Sequence, residues 1–265
     1  MQTMKGKGTK SKAGGRRVQP GTAREEEQLY FLNSVEPRKK RAAAAPVKPS
    51  QTCQRERERL ENEYACLMAP KLEYGRLVTY VPNKNIPVYN WFKYKEAFSR
   101  ELVFRLLNEL AVDKSEIVFD PFAGCGTTLL ACKEFGIRAV GIDILPIAVY
   151  VAGIKLRDWP NLDVPIHAAE QLLATPKGEP KGAFPDVKIV NLAFPGEVQR
   201  DILFYKEQIL NFRPPVRDFL MLALLSILEQ ISYTSKDGQF LRLVERRIPP
   251  VKDALRRQLM LMISD

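Results

Sequence analysis

The spacing of apolar residues predicts helices in the first half of the chain. Over residues 54–68 apolar side chains recur at helical intervals among charged ones, which predicts a charged helix. Residues 100–110 form a second amphipathic stretch, and Ser99 stands where a helix N-cap is expected. These two segments are therefore predicted to be helical.

From residue 116 onward the pattern changes to short apolar runs separated by turns. The predicted elements are a strand at 116–120, a helix at 127–135, a strand at 139–143 and a helix at 146–156. This order is typical of a parallel sheet whose strands are joined by crossover helices. The predicted fold class is therefore α/β.

The rest of the chain is predicted to be mainly helical. Residues 187–191 are a candidate third strand, and helices are expected at 197–212 and 216–232. A short apolar segment at 240–244 then precedes a helix that runs through Met262. The predicted organisation is a disordered basic tail (1–50), a charged helix and linker (51–75), a cofactor-binding α/β domain (76–195) and a helical region (196–265).

Composition narrows the possible partners. The net charge is +10, and residues 1–50 hold twelve Lys and Arg against four Glu, which is typical of either contact with a polyanion or a solvated tail. No apolar run approaches the roughly 18 residues of a membrane helix, so we expect no membrane contact and a cytoplasmic location. The four cysteines lack C-x-x-C spacing and there is a single histidine, which predicts no metal site.

The turn after the first predicted strand carries the candidate chemistry. Residues 120–128 read Asp120-Pro121-Phe122-Ala123-Gly124-Cys125-Gly126-Thr127-Thr128. Two glycines without Cβ atoms allow a tight bend close to a ligand, and the following helix N-terminus favours an anionic group. Ligands of open α/β sheets bind at this edge, beyond the carboxyl ends of the strands.

An acidic residue follows the second predicted strand. Asp143 comes 17 residues after Gly126, a position from which a carboxylate can accept hydrogen bonds from ribose hydroxyls. This spacing alone would also suit a nicotinamide dinucleotide. A dinucleotide fingerprint, however, needs a third glycine where this chain has Leu129, and a phosphate-binding loop would need Gly-Lys-Ser/Thr.

The nine-residue turn closely resembles the D-P-F-x-G-x-G-T-T cofactor motif of the amino-methylating DNA methyltransferases. The resemblance implies a Rossmann-like class I methyltransferase fold, methylation of cytosine N4 or adenine N6, and S-adenosyl-L-methionine as the cofactor. It assigns cofactor binding to all nine residues of the turn, with Asp143 as the ribose ligand and Ile144 beside adenine. It also implies duplex DNA as a partner and a place in restriction–modification.

Two further segments resemble parts of the same family. Residues 91–99 are similar to the aromatic segment that lines the methionine end of the cofactor, although an aromatic core cluster would give the same pattern. Residues 232–240 are similar to a segment that precedes the catalytic motif, and a plain turn at Asp237-Gly238 is the alternative.

The catalytic (Asp/Asn/Ser)-Pro-Pro-(Tyr/Phe/Trp) motif of the family is not found, so the catalytic residues are unassigned. The pairs Pro214-Pro215 and Pro249-Pro250 have the wrong flanks and are interpreted as helix punctuation, while residues 191–194 keep only the outer residues. We therefore expect an incomplete fold. The chain would then be a fragment, a split subunit that a second chain completes, or a relic. An RNA methyltransferase and a non-catalytic S-adenosylmethionine- or DNA-binding subunit remain alternatives.

Overall fold

The computed structural model describes residues 51–237 and 240–265, and the chain divides after Leu67 into two units that are considered separately. The helices are α1 Gln51–Glu63, α2 Arg100–Glu109, α3 Thr127–Phe135, α4 Pro146–Lys155, α5 Asp163–Ala174, α6 Lys188–Ala193, α7 Gly196–Leu210, α8 Val216–Ile227 and α9 Val251–Ser264. The strands are β1 Ile117–Asp120, β2 Arg138–Gly141, β3 Thr234–Asp237 and β4 Phe240–Leu243. The disordered tail predicted for residues 1–50 lies outside the described residues.

In the first unit α1 is exposed along its length and is followed by a 3₁₀ turn, Ala65–Leu67. Ion pairs one turn apart run along it, such as Arg57 to Glu61 at 2.6 Å. Exposed pairs of this kind stabilise a helix by only about 0.3–0.5 kcal/mol each. The predicted charged helix is confirmed, but it ends at Glu63 rather than residue 68 because the last turn tightens into 3₁₀ geometry.

In the second unit β1 and β2 form a two-stranded parallel sheet, with Asp120 opposite Gly141. Helix α3 connects them and has the predicted bounds, ending where Gly136 adopts a left-handed conformation. Helix α2 precedes them, and its N-cap Ser99 accepts a hydrogen bond from the Leu102 amide, as predicted. The strand–helix–strand core predicted from the sequence is thus confirmed, and the architecture is a mixture of helix and strand.

One face of this sheet is packed and the other is not. Val118 and Ala139 lie against a small core formed by helices α2 and α3 and the turn before β2. The buried residues of that core are Val103, Leu107, Ala131, Cys132 and Ile137. On the opposite face the apolar side chains of Ile117, Phe119 and Val140 are more than half exposed, and the exposed Arg138 lies beside them.

Most of the buried apolar volume lies in the helices that follow the sheet. Helix α8 lies at the centre and packs on α4, α5, α7 and α9. Its Leu220 and Leu222 are fully buried, as are Leu255 and Leu259 of α9. The aromatic ring of Trp91 joins this core through an edge contact with Phe219, with ring centroids 5.7 Å apart.

The candidate third strand at 187–191 is wrong, because residues Lys188–Ala193 form helix α6. A short apolar run fits a buried strand and a helix segment equally well, and tertiary packing decides between them. Here Ala193 is buried, and its carbonyl accepts a hydrogen bond from the Tyr233 amide. The extra strands in the described residues are the antiparallel hairpin of β3 and β4, which is a separate sheet.

None of the helices in the described residues has the length and apolar character needed to cross a bilayer.

Candidate functional site

The bend between β1 and α3 is shaped by Asp120, the last residue of β1. One carboxylate oxygen of Asp120 accepts a hydrogen bond from the Phe122 amide at 3.0 Å, and the other accepts one from the Thr128 hydroxyl at 2.5 Å. Both ends of the bend are therefore tied to one side chain. Charge-assisted bonds of this kind are about twice as strong as neutral ones, so they hold the bend in place.

Glycine is required at two positions of the bend. Gly124 and Gly126 have φ values of +51° and +81°, in the left-handed region that other residues rarely adopt. A Cβ on Gly124 would lie 3.2 Å from Cε1 of Tyr94, and one on Gly126 would lie 2.9 Å from Cβ of Ala152. The bend is therefore in close contact with the aromatic segment on one side and with helix α4 on the other.

Asp143 reaches the bend from the end of the neighbouring strand. Its Oδ2 accepts a hydrogen bond from the Gly124 amide at 2.8 Å, and its Oδ1 accepts one from the Leu145 amide at 2.8 Å. The backbone ladder continues beside it, because the Ala123 amide donates to the Ile142 carbonyl at 3.0 Å. A carboxylate has about four lone-pair sites, so two remain for further hydrogen bonds.

The remaining residues of the bend divide into outward and inward ones. Phe122 and Ile144 are 85% and 93% exposed, so each presents apolar surface beside the bend. Cys125 and Thr127 are buried, and burial raises the pKa of the Cys125 thiol to about 11. Of the other predicted site residues, Pro121 is exposed and Ala123 is half-buried.

The predicted aromatic segment has two different roles along its length. Trp91 is buried in the helical core; its ring nitrogen donates to Asp265 at 3.0 Å and its carbonyl accepts from Ser226 at 2.7 Å. Three residues later the ring of Tyr94 lies against Gly124. The segment is thus anchored in the core at one end and contacts the bend at the other.

Lys155 is a residue near the bend that the sequence reasoning missed. It is buried at the end of α4, and its Nζ donates to the Tyr89 carbonyl at 3.1 Å. Burial lowers its pKa from 10.5 to about 8, while interaction with Cys125 acts in the opposite direction. The available signal was a single basic side chain in an otherwise apolar helix.

The proline pairs lie at helix starts, as predicted. Pro215 and Pro250 are the N-cap residues of α8 and α9. Asn191 lies within helix α6, and its side-chain amide donates to Asp186 at 2.9 Å. Neither arrangement resembles an open loop that could hold a base.

In the segment that begins at residue 232, the side chain of Arg246 donates to the carbonyls of Ser232 and Thr234 at 2.8 and 2.9 Å. These bonds tie the residues before and within β3 to the chain after β4.

Comparison with known proteins gives a family for this arrangement. A family model described as DNA methylase matches residues 9–152, more than half of the chain and including both the bend and Asp143. The chain belongs to this DNA methylase family. The amino-methylating family inferred from the bend is thereby confirmed for this chain.

Curated relatives of the chain are named Type II methyltransferases. This chain is 38% identical over 191 residues to the Type II methyltransferase M.BsoBI of Geobacillus stearothermophilus, covering 71% of this chain and 38% of the relative. It is 39% identical over 176 residues to the Type II methyltransferase M.AvaI of Nostoc sp., covering 63% and 36%. The chain therefore spans less than two fifths of the length of these relatives. No solved structure matches.

Proposed function

We propose that this chain binds S-adenosyl-L-methionine and forms the donor-binding part of a DNA methyltransferase that acts on cytosine N4 or adenine N6. The observation that carries the proposal is the 2.8 Å hydrogen bond between the Gly124 amide and Asp143. It brings a glycine bend and an acidic residue from adjacent parallel strands into contact at the carboxyl edge of the sheet, where α/β folds bind nucleotides. A contact of this kind between a glycine bend and an acidic residue fits a Rossmann-like class I methyltransferase fold.

The residues around the bend fit this cofactor. The two unused lone-pair sites of Asp143 suit the two ribose hydroxyls. The exposed side chains of Phe122 and Ile144 offer apolar surface to the adenine ring. The absence of a Cβ on Gly124 leaves the backbone open beside Tyr94, and the N-terminus of α3 favours the carboxylate of the methionine moiety.

Each side chain then has a defined task in binding. Asp120 and Thr128 hold the shape of the bend through their 2.5 Å hydrogen bond rather than by touching the cofactor. Asp143 both positions the Gly124 amide and receives the ribose. Cys125 and Thr127 pack inward and support the bend from beneath. When bound, S-adenosylmethionine supplies an electrophilic methyl group.

The target is inferred to be a DNA base that is flipped out of the helix, because an exocyclic amine is inaccessible to the methyl group within a stacked duplex. The matching family model is described as DNA methylase, which supports DNA over RNA. The residues that hold the base are inferred to come from the part of such enzymes that this chain does not cover.

Equilibrium dialysis with tritium-labelled S-adenosylmethionine tests the proposal. We expect retention of about one donor per chain, competition by S-adenosylhomocysteine, and no competition by NAD. Equal competition by NAD would replace the methyltransferase assignment with a dinucleotide site. Electrophoretic mobility shift of the donor-loaded chain with duplex DNA and with RNA of the same sequence then separates the two nucleic acids, and tighter binding to RNA would contradict the DNA assignment.

A further inference from the structure

Lys155 is a buried cation beside the glycine bend. It is the last residue of α4 and is only 7% exposed, and its Nζ donates a hydrogen bond to the Tyr89 carbonyl at 3.1 Å. An ammonium group has three donors, and its burial is costly unless an anion or several acceptors compensate it. Charged groups that are buried at such a cost cluster at functional sites.

Lys155 lies beneath the N-terminus of α3. It follows Ala152 by three residues and therefore shares a face of α4 with it. That face packs on the bend, because a Cβ on Gly126, the N-cap of α3, would lie 2.9 Å from Cβ of Ala152. Cys125, which is buried next to Gly126, and Lys155 are close enough for each to affect the pKa of the other.

The surroundings of Lys155 offer no anion to balance its charge. Among the residues that the structure describes, Cys125 is the ionisable group that acts on the pKa of Lys155, and its thiol is neutral because burial raises its own pKa to about 11. Asp143 and Glu96 affect the pKa of Cys125 rather than that of Lys155. The charged groups on neighbouring elements are engaged elsewhere: Glu134 of α3 with the Tyr89 hydroxyl, and Asp218 of α8 with Arg217.

A positive charge in this position favours an anion at the bend. The N-terminus of a helix carries about half an elementary positive charge, and a buried ammonium group below it adds a full one that salt screens weakly. In the proposed function, the carboxylate of the methionine moiety lies at this end of α3. Two opposite charges roughly 10 Å apart within a protein interact strongly enough to change an affinity on the order of tenfold.

We propose that Lys155 is a positioning residue of the donor site, whose buried ammonium group acts through the bend to favour the carboxylate of S-adenosylmethionine; this rests on the proposed function. Lys155 does not touch the donor. It places a positive charge beneath the helix end that receives the carboxylate, and the Tyr89 carbonyl fixes the position of that charge.

A purely structural anchor is the alternative role for Lys155. Its partner Tyr89 follows Val88, which has a φ of +64° in a tight turn closed by a hydrogen bond from the Tyr89 amide to the Pro87 carbonyl at 2.7 Å. Turns of this kind are strained and persist only where their surroundings hold them. A neutral side-chain amide can also donate to a carbonyl, however, so anchoring alone does not require a charge.

A pair of donors that differ only in the carboxylate separates the two roles. S-adenosylmethionine and decarboxylated S-adenosylmethionine are compared by equilibrium dialysis with the wild type and with Lys155→Met. At pH 7 the substitution should weaken binding of S-adenosylmethionine by about tenfold and change binding of the decarboxylated compound by less than about twofold. An equal loss for both compounds would indicate a structural anchor and overturn the proposal, as would an unchanged affinity for S-adenosylmethionine.

Two further variants control for the hydrogen bond and for the change in net charge. Lys155→Gln keeps a donor for the Tyr89 carbonyl but is neutral, so it should resemble Lys155→Met; affinity equal to that of the wild type would overturn the proposal. Lys133→Met removes a lysine that is more exposed, that donates to the Leu156 carbonyl at 2.7 Å and that pairs with Asp158. This control should bind S-adenosylmethionine within about twofold of the wild type, because its charge is paired and screened by solvent.

The pH dependence supplies a readout that an anchor would not change. S-adenosylhomocysteine is the probe because it keeps the carboxylate and is stable to base. Burial lowers the pKa of Lys155 from 10.5 to about 8, so its charge is present at pH 7 and is lost as the pH rises. The advantage of the wild type over Lys155→Gln should therefore shrink from about tenfold at pH 7 to about twofold at pH 9. A constant advantage across this range would overturn the proposal.

The same measurements separate this proposal from the proposed function. If the wild type retains neither S-adenosylmethionine nor its decarboxylated form, the donor site itself is refuted. If the wild type and Lys155→Met retain both compounds equally well, the donor site stands and only the role of Lys155 is refuted.

Discussion

Replacing Gly126 by alanine probes the closest contact of the glycine bend. Gly126 has a φ of +81°, and a Cβ there would lie 2.9 Å from Cβ and 3.3 Å from Cα of Ala152 in helix α4. Both residues are buried, so neither can move into solvent. The substitution therefore combines backbone strain with a steric clash.

The two effects can be estimated separately. A left-handed conformation costs a residue with a Cβ about 1–2 kcal/mol. An added methyl group in a packed core costs about 1–3 kcal/mol. Gly126→Ala should therefore lower the free energy of unfolding by about 2–5 kcal/mol. Removing the opposing methyl group by Ala152→Gly relieves only the clash and costs about 0.5–1 kcal/mol in helix propensity.

A double-mutant cycle in urea, followed by far-ultraviolet circular dichroism, isolates the contact. We expect Gly126→Ala with Ala152→Gly to be more stable than the sum of the single effects by about 1–2 kcal/mol. Gly153→Ala is the matched control, because Gly153 lies in the same helix with open space around it and should stabilise by about 0.5–1 kcal/mol. Strictly additive effects in the cycle would refute the packing of the bend against α4.

Three further predictions concern the side chains around the bend. Asp143→Asn should weaken S-adenosylmethionine binding measured by calorimetry. Both carboxylate oxygens of Asp143 accept hydrogen bonds from backbone amides, and the side-chain nitrogen of asparagine cannot accept either bond. Equal affinity of the variant and the wild type would exclude Asp143 as a ligand. Thr128→Val should lower the free energy of unfolding in urea by about 1.5–3 kcal/mol, because it removes a hydrogen bond to the charged Asp120. Thr128→Ser keeps the hydroxyl and should retain most of the wild-type stability. A valine variant as stable as the wild type would contradict this role. Burial lowers the pKa of Lys155 from 10.5 to about 8. As the pH falls, the lysine side chain is therefore protonated in the unfolded chain before it is protonated in the folded chain. As the pH falls from about 10.5 to 8, the free energy of unfolding of the wild type should therefore decrease relative to that of Lys155→Met. A difference between the two proteins that does not change with pH would contradict the burial of Lys155.

Local signals predicted the elements that local interactions determine. Helix α3 begins after a glycine bend and ends at Gly136, and both signals are visible in the sequence. The Ser99 cap depends on an amide only three residues away. The contact between Asp143 and the bend was also predictable, because adjacent parallel strands end at the same edge.

Long-range packing determined what the sequence did not reveal. The run at 187–191 became a helix because its surroundings bury Ala193, and no residue within the run indicates this. Helix α5 was missed although Asp163 and Pro165 lie in its first turn, where aspartate is favoured and proline is tolerated. The partner of Lys155 is the carbonyl of Tyr89, 66 residues earlier, which no local pattern identifies.

The backbone amide resonances of the ¹⁵N-labelled chain, followed during titration with S-adenosylmethionine, test the donor site most directly. A donor site at the bend predicts saturable shifts concentrated at residues 120–128 and 143–145, with the Gly124 amide among the largest, since it lies next to the carboxylate assigned to the ribose. Saturable shifts confined to other parts of the chain, or no shift at all in the folded protein, would contradict it.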